Sequence, residues 1–366
     1  MKESVNSKLK EQMKQTGVEA VIVTPSSNME YLVGDSLMAD ERFSAFVFLV
    51  REDPFVFANQ LYQQEILTWS VKDQVFWKDG ENCFEKFRNS LKERIGYPKK
   101  VGVEKNMPAG FLLALEKAFP ETSFINNETI LGSLRKIKDD IEISCMKEAC
   151  RRCAEALRET VESARKWIGK TEGEFADALC KAMEKRGISQ AGALVCAGKN
   201  AAMPHYTGRE GVIRAGEGLL IDFGGRYRGY WSDMSRTLFF SGEEDQNAEF
   251  LWAYGTVLQA VKQGIRTAIP GRRMEEVDRA CRTVIQNAGY GEYFTHRTGH
   301  GIGLDNHEEP CAVQDEKSII EEGMTFSVEP GIYIPDKFGI RIEEQVLITY
   351  RGAECMHDFT RDLLVF

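Results

Sequence analysis

Asp222 and Asp233 stand eleven positions apart in LLIDFGGRYRGYWSDMSRTLFF, residues 219–240. An apolar run precedes the first, and a second run rich in aromatic and β-branched residues carries the other. The Gly224-Gly225 pair between them is a turn signal, so the segment predicts a hairpin whose first strand closes on Asp222. An ionised carboxylate adds nothing to an apolar core and is rarely buried unless it is paired or coordinates a metal. A second carboxylate pair follows, Glu329 in FSVEPGIY and Glu343 in GIRIEEQVLIT. His300 lies between the pairs in TGHGIGLDNHEEP. Glycines at 299, 301 and 303 deny that stretch a helix and allow close backbone approach.

Asp222, Asp233, His300, Glu329 and Glu343 make five potential metal ligands, four of them hard oxygens. Such a set suits Mn²⁺, Co²⁺ or Fe²⁺ better than metals that favour thiolates. It also suits two ions rather than one, because clustered carboxylates repel each other and two divalent cations cancel that charge. Ions about 3.5–4 Å apart can hold a bridging hydroxide near neutral pH and polarise a carbonyl. The histidines agree with this placement. The chain has five, and His205, His296, His300 and His307 fall within or beside these motifs. GxSxG and HExxH are both missing, as are a phosphate loop and GxGxxG.

These residues need strands to hold them, and the pattern supplies them twice. A long amphipathic helix carries Ile143, Met146, Cys150, Cys153, Leu157 and Val161 on one face. A second opens at Thr171 with Glu174 three residues on, a capping box, and Gly187 marks its stop. Strand-like segments then lead into the hairpin. The same order returns with helices at about 246–264 and 273–288, then strands at 325–328, 339–342 and 345–349. Both halves read helix, helix, strands, and both finish on a carboxylate pair. Facing one another, two pseudo-symmetric halves of an α+β domain would bring the four carboxylates together.

The region before this reads differently. Val18–Val23, Ala45–Val50, Pro54–Ala58 and Val101–Glu104 are short, nearly apolar strand patterns. Helical spacing appears near 5–16, 84–95 and 109–118. The alternation predicts an α/β domain with a covered sheet. A polar stretch at 127–140 is the candidate boundary, giving domains over 1–130 and 138–366. Asp40-Glu41-Arg42 forms a polar cluster within the first of them.

Composition sets outer limits. A 366-residue chain, 43% hydrophobic and 28% charged, is long enough for two globular domains. Its net charge of −9 and lack of a basic block argue against nucleic-acid binding. No 18-residue apolar stretch and no signal-peptide core occur, which predicts neither a membrane span nor secretion. Nine cysteines without framework spacing read as reduced thiols in a cytoplasmic protein.

In order along the chain, PHYTG, IDFGGRYRGYWSD, HRTGHGIGLDNHEEP, SVEPGIY and GIRIEE resemble the pita-bread metallopeptidases, specifically prolidases and Xaa-Pro aminopeptidases. The resemblance covers essentially the whole chain. It implies a creatinase-like N-terminal domain and a pita-bread catalytic domain binding two divalent ions, Mn²⁺ or Co²⁺ first, with Zn²⁺ or Fe²⁺ as alternatives. Asp233 and Glu343 would bridge the ions, Asp222 would hold one, and His300 with Glu329 the other. Glu329 would also shuttle the proton of the attacking water. His205 and His307 would orient substrate and stabilise the tetrahedral intermediate. Arg341 would meet a substrate carboxylate or orient Glu343.

The same resemblance implies a homodimer in which the Asp40-Glu41-Arg42 loop reaches the partner's site. The expected reaction is hydrolysis of Xaa-Pro dipeptides. Alternatives are an Xaa-Pro aminopeptidase acting on longer peptides, or a pita-bread binding module without catalysis. The complete ligand set argues against the metal-free creatinase chemistry that shares the fold.

Overall fold

The computed structural model of the protein describes residues 3–242 and 247–366. The chain divides into two units between Arg135 and Lys136, within the polar stretch that marks the boundary in sequence.

The first unit is built on a six-stranded mixed sheet. Its elements in chain order are α1 (Glu3–Thr16), β1 (Ala20–Val23), α2 (Ser27–Val33), β2 (Ala45–Leu49), β3 (Phe55–Asn59), α3 (Gln63–Ile66), β4 (Asp73–Trp77), α4 (Cys83–Ile95), β5 (Lys100–Val103), α5 (Ala109–Ala118), β6 (Ser123–Asn126) and α6 (Glu128–Arg135). The strand order is β4-β3-β2-β1-β5-β6. Side chains alternate across the sheet and divide its apolar residues between two cores. Val21, Val23, Phe46 and Phe48 pack with Leu9 and Met13 of α1 and Leu131 of α6. Ala20, Ile22, Val47 and Phe57 pack with Phe87 and Leu91 of α4 and Leu115 of α5. Cover on both faces is why the central strands are nearly all apolar.

The four strands read from sequence are present within two residues at each end. β4 and β6 are additional. They form the two edges, where DQVFW and SFIN are mostly only partly buried and carry apolar runs of just three and two residues. The short helices α2 and α3, and α6 in the boundary stretch, were likewise not expected.

The second unit has two halves. The first contains α7 (Asp140–Val161), α8 (Glu172–Glu184), β7 (Ser189–Ala197), β8 (Glu217–Tyr227) and β9 (Tyr230–Phe240). Asp139 and Glu142 form a capping box on α7, and Thr171 with Glu174 forms the expected one on α8. The strands make an antiparallel sheet in the order β7-β8-β9. Leu157, Phe175 and Leu179 of the helices pack against Leu219, Ile221, Phe223 and Met234.

One expectation fails here. Gly224 and Gly225 do not turn the chain; they lie inside β8, which continues to Tyr227. A Cβ at Gly224 would overlap the Ser232 carbonyl, and one at Gly225 the Ile188 side chain, so these glycines allow close packing rather than reversal. The turn is at Arg228-Gly229, both with positive φ (49° and 87°), the pattern that closes a two-residue hairpin.

The second half contains α9 (Ala248–Thr267) and α10 (Met274–Asn287), followed by seven strands. Residue 246, where the first of these helices was expected to begin, lies outside the described residues. The strands are β10 (Gly299–Gly301), β11 (Glu308–Ala312), β12 (Thr325–Val328), β13 (Gly331–Ile334), β14 (Phe338–Arg341), β15 (Glu344–Thr349) and β16 (Gly352–Cys355). Five of them form a sheet in the order β11-β10-β12-β15-β16, and β13 and β14 form a hairpin. Val257, Val261, Val277 and Cys281 of the helices pack on Phe326, Val328 and Val346. Each half therefore lays its own helix pair against its own sheet.

Candidate active site

Period-two alternation along β9 builds one wall of the site. Met234 and Leu238 point into the helix-covered core, while Asp233, Ser235 and Thr237 face the other half. Asp222 is opposite Ser235 in the β8–β9 ladder, and Asp233 is opposite Gly224. The second half supplies the rest from strand ends, where a carboxylate can leave the ladder without facing the core. His300 is central in β10, Glu329 directly follows β12, and Glu343 directly precedes β15. The Glu343 N–H donates to the Ser235 carbonyl at 3.1 Å, tying the halves together beside these groups.

Ligand atoms of these residues gather in three overlapping groups: Asp222, Asp233 and Glu343; His300, Glu329 and Glu343; and Asp233, His300 and His307. Within each group the atoms lie no more than 4.8 Å apart. The His300 Nδ1 lies 3.0 Å from the Gly301 carbonyl, which fixes its proton there. Nε2 is left facing Glu329 Oε1 at 3.2 Å and Asp233 Oδ2 at 3.8 Å. Holding one imidazole nitrogen on a carbonyl is how proteins aim the other at a metal. Further contacts hold the carboxylates. Ser327 Oγ donates to Glu329 Oε1 at 3.0 Å, Ser235 Oγ to Glu343 Oε2 at 2.8 Å, and Asn306 Nδ2 to Asp233 Oδ2 at 3.0 Å.

The electrostatics are those of negative charge packed without counter-ions. Burial and the neighbouring Asp222 push the Asp233 pKa up. Burial and the charges of Asp233 and Glu329 do the same to Glu343. Burial opposes charge on Glu329 as well, but its contact with His300 outweighs that and holds its pKa down. Glu343 Oε1 is buried and has no hydrogen-bond partner among the described residues. An orphaned carboxylate oxygen beside two more carboxylates and an aimed imidazole is a donor set that divalent cations satisfy, so the residues present fit metal binding.

Similarity to known proteins agrees with the site. Residues 144–350 match the model of metallopeptidase family M24, and residues 6–137 match the creatinase/prolidase N-terminal domain. The chain belongs to metallopeptidase family M24. It is 30% identical to a Xaa-Pro dipeptidase of Pyrococcus horikoshii over 98% of this chain and 99% of that one. Its fold matches the crystal structure of a prolidase from Thermococcus sibiricus with a TM-score of 0.93 and 31% identity, covering 100% and 98% of the two chains. An X-Pro aminopeptidase from Thermotoga maritima matches with a TM-score of 0.81 and 27% identity, covering 97% and 100%. The architecture is thus the creatinase-like domain followed by the pita-bread catalytic domain of this family, whose members use divalent metals.

Two residues of this M24 site differ from their expected surroundings. His205 is exposed and belongs to none of the three groups. Its neighbours come nearer: the Pro204 carbonyl lies 3.5 Å from an Arg341 nitrogen, and Tyr206 and Thr207 line a cavity with Asp222 and Asp233. Arg341 is 3% exposed and fully engaged: Nε donates to Ser235 Oγ at 2.9 Å, one terminal nitrogen to Tyr333 Oη at 2.8 Å, and the other to Asp222 Oδ2 at 2.7 Å. Ser235 Oγ in turn donates to Glu343 Oε2, so a single hydroxyl links Arg341 to that carboxylate.

His307 keeps an exposed edge, yet its ring lies 4.1 Å from that of His300. Loss of water and the neighbouring His300 lower its pKa to about 4. Its loop is fixed by a buried ion pair, Lys138 Nζ to Glu308 Oε2 at 3.1 Å, and by Glu308 Oε1 accepting from the Asp305 N–H.

Several site residues escaped the sequence reading. Ser235, Thr237, Ser327, Asn306 and Tyr333 all bond to it across long sequence separations. His296 shows how specific these contacts are. Its Nδ1 is 2.6 Å from the Arg297 carbonyl, and its Nε2 is 2.8 Å from Tyr333 Oη. Arg341 already donates to that oxygen, so a neutral His296 accepts the Tyr333 proton at Nε2 and donates at Nδ1. Burial lowers the His296 pKa, in keeping with a neutral ring.

Proposed function

We propose that this M24 enzyme is a metal-dependent Xaa-Pro dipeptidase. The observation that carries the proposal is the convergence of four carboxylates and one aimed imidazole in a chain similar over its full length to Xaa-Pro dipeptidases. Asp222, Asp233, His300, Glu329 and Glu343 would hold two divalent ions. Oxygen donors favour Mn²⁺ or Co²⁺. Two such ions would supply an activated water and polarise the scissile carbonyl.

The chain's own groups do the rest. Glu329 has Oε1 held by Ser327, which leaves Oε2 to take the proton of the attacking water and return it to the proline nitrogen. His307, neutral near pH 7, stands at the mouth of the site and stabilises the oxyanion of the tetrahedral intermediate. His205 orients substrate from the exposed rim. Arg341 anchors Asp222 directly and Glu343 through Ser235.

A cavity of about 380 Å³ opens beside Asp222 and Asp233, lined in part by Leu194, Phe223 and Trp231. It has room for the residue before proline. A cytoplasmic homodimer, with the Asp40-Glu41-Arg42 loop at the partner's site, completes the proposal.

One observation favours the aminopeptidase reading. A dipeptidase needs a cation for the substrate carboxylate, and neither Arg341 nor Arg42 is free to be one. Arg42 is bonded by Nε and a terminal nitrogen to both oxygens of Asp79, and by the other to Asp40 and Glu41.

The two readings part on substrate length. The dipeptidase should hydrolyse Xaa-Pro dipeptides at least tenfold faster, by kcat/KM, than Xaa-Pro-Xaa tripeptides. Equal or faster cleavage of tripeptides would make it an aminopeptidase. His307→Ala should retain its metal while losing on the order of 10²–10³ in rate; loss of metal would make His307 a ligand instead.

A further inference from the structure

With Arg341 and Arg42 both committed, a dipeptide's carboxylate needs another cation. Arg297 meets that description. It follows His296 and lies three residues before His300. One of its terminal nitrogens is 3.1 Å from Cys311 Sγ. Cys311 is the cross-strand partner of His300 in the β10–β11 ladder, so the two side chains share a face. That face is turned away from the helix-covered core, because Ala312, the next residue along β11, points into it. Directly opposed strand residues stand about 4.5–5.5 Å apart between Cα atoms, so an Arg297 guanidinium held at Cys311 Sγ lies on the His300 side of the ladder.

The partner that Arg297 has is a poor one. A thiol is a weak acceptor, and among the described residues Arg297 forms no ion pair with a carboxylate within 4.0 Å. Three other arginines near the metal-ligand strands are held by carboxylates: Arg341 by Asp222, Arg236 by Glu344, and Arg282 by Asp278. A half-buried guanidinium on the rim of a carboxylate-rich site, with its planar fork uncommitted, is arranged to take an incoming carboxylate in two parallel hydrogen bonds. In a dipeptide that carboxylate lies about one residue length, 3.8 Å between Cα atoms, beyond the scissile bond.

We propose that Arg297 binds the C-terminal carboxylate of the Xaa-Pro substrate and so sets the preference for dipeptides. This rests on the dipeptidase reading. It gives Arg297 a binding role, with the chemistry left to the metal-ligand cluster. It also assigns Cys311 a part, as the neutral neighbour that leaves the fork free.

The test compares the wild type with Arg297→Ala and Arg297→Lys on three substrates: an Xaa-Pro dipeptide, the same dipeptide amidated at its C-terminus, and an Xaa-Pro-Xaa tripeptide. Bound metal and melting temperature are measured on each protein. The wild type should favour the free acid over the amide. Arg297→Ala should raise KM for the free acid on the order of ten- to a hundred-fold, change kinetics on the amide little, and keep its full metal content. Arg297→Lys retains the charge but not the fork and should fall between; if the alanine variant does not fold, this partial loss of acid-over-amide preference decides the matter.

An unchanged preference in a metal-replete variant would overturn the assignment of Arg297 while leaving the dipeptidase reading intact. A wild type that does not distinguish acid from amide would overturn the dipeptidase reading, and the assignment with it.

Discussion

The six-stranded sheet of the N-terminal unit and the β7–β9 sheet of the catalytic unit solve opposite problems with similar strands. The first is apolar on both faces. Phe87 of α4 is central to the core on one of them, its ring 5.2 Å from Phe43 and 5.1 Å from Phe57 in edge-on contacts. The second is apolar only towards α7 and α8; its other face carries Asp222, Asp233, Ser235 and Thr237. A sheet tolerates such a face when each polar group is answered. Here Arg341, Asn306 and Ser235 answer most of them, and one Glu343 oxygen is left for a cation. One sheet therefore owes its order to packing and the other to charge balance, and the two should fail differently.

The largest difference should come from Glu343→Ala. It removes a residue common to two of the three ligand groups, so at least one ion should be lost and kcat/KM should fall on the order of 10³-fold or more. The metal-free fold should survive, since the deleted carboxylate is one that burial and its neighbours oppose. Atomic absorption and thermal melts on the same preparation would check both parts. Phe87→Ala should behave in reverse. Deleting a buried aromatic costs about 3–5 kcal/mol, which urea unfolding would read, while the metal bound per folded molecule stays at the wild-type level.

These contrasts also explain what the sequence could and could not disclose. Asp222, Asp233, Glu329 and Glu343 were visible because charge interrupts or borders apolar strands, and His300 because glycines surround it. Their supports were not visible. Ser235 meets Glu343 from 108 residues away and Tyr333 meets His296 across 37; small hydroxyl residues in strands carry no pattern that announces such a partner. The Gly224-Gly225 pair was misread because the same residue type serves turns and close sheet packing, and only the neighbouring Ile188 and Ser232 decide between them. β4 and β6 were missed because edge strands have no need of an apolar run.

The comparison sharpens with pH. In metal-free protein, Asp233 and Glu343 bind protons more tightly folded than unfolded, because burial and like charge raise their pKa values. Stability from these groups therefore falls as pH rises above the ordinary carboxylate value, about 4, towards the raised ones. His300 slopes the same way: its folded pKa is raised, and the stability it lends is lost as pH climbs through that value. Glu329, with a lowered pKa, has already made its contribution above pH 5 and adds no slope there. Urea unfolding at pH 5, 6.5 and 8 should show the chelated protein losing on the order of 1–3 kcal/mol across that range. The metal-loaded protein should not show this loss; His296, His307 and His357, whose pKa values are lowered, tilt both forms the other way below about pH 6.5. An equal slope in both would mean that the carboxylates are not what the ions neutralise.

The smallest effect expected is that of Ser235→Ala. It unlinks Arg341 from Glu343 and leaves buried polar atoms short of a partner, a cost of about 1–3 kcal/mol. Activity should drop about tenfold, with weaker retention of one ion during dialysis. Undiminished metal affinity would show that Arg341 steadies Asp222 alone.

The central claim is that Asp222, Asp233, His300, Glu329 and Glu343 form one dinuclear hydrolytic centre. Its most direct test is to chelate the protein, then titrate Mn²⁺ or Co²⁺ back while following bound metal and hydrolysis of an Xaa-Pro dipeptide together. The account predicts no turnover in the stripped protein and a return of activity that saturates at two ions per chain. Full activity in the stripped protein, or saturation with no metal bound at these five residues, would contradict it.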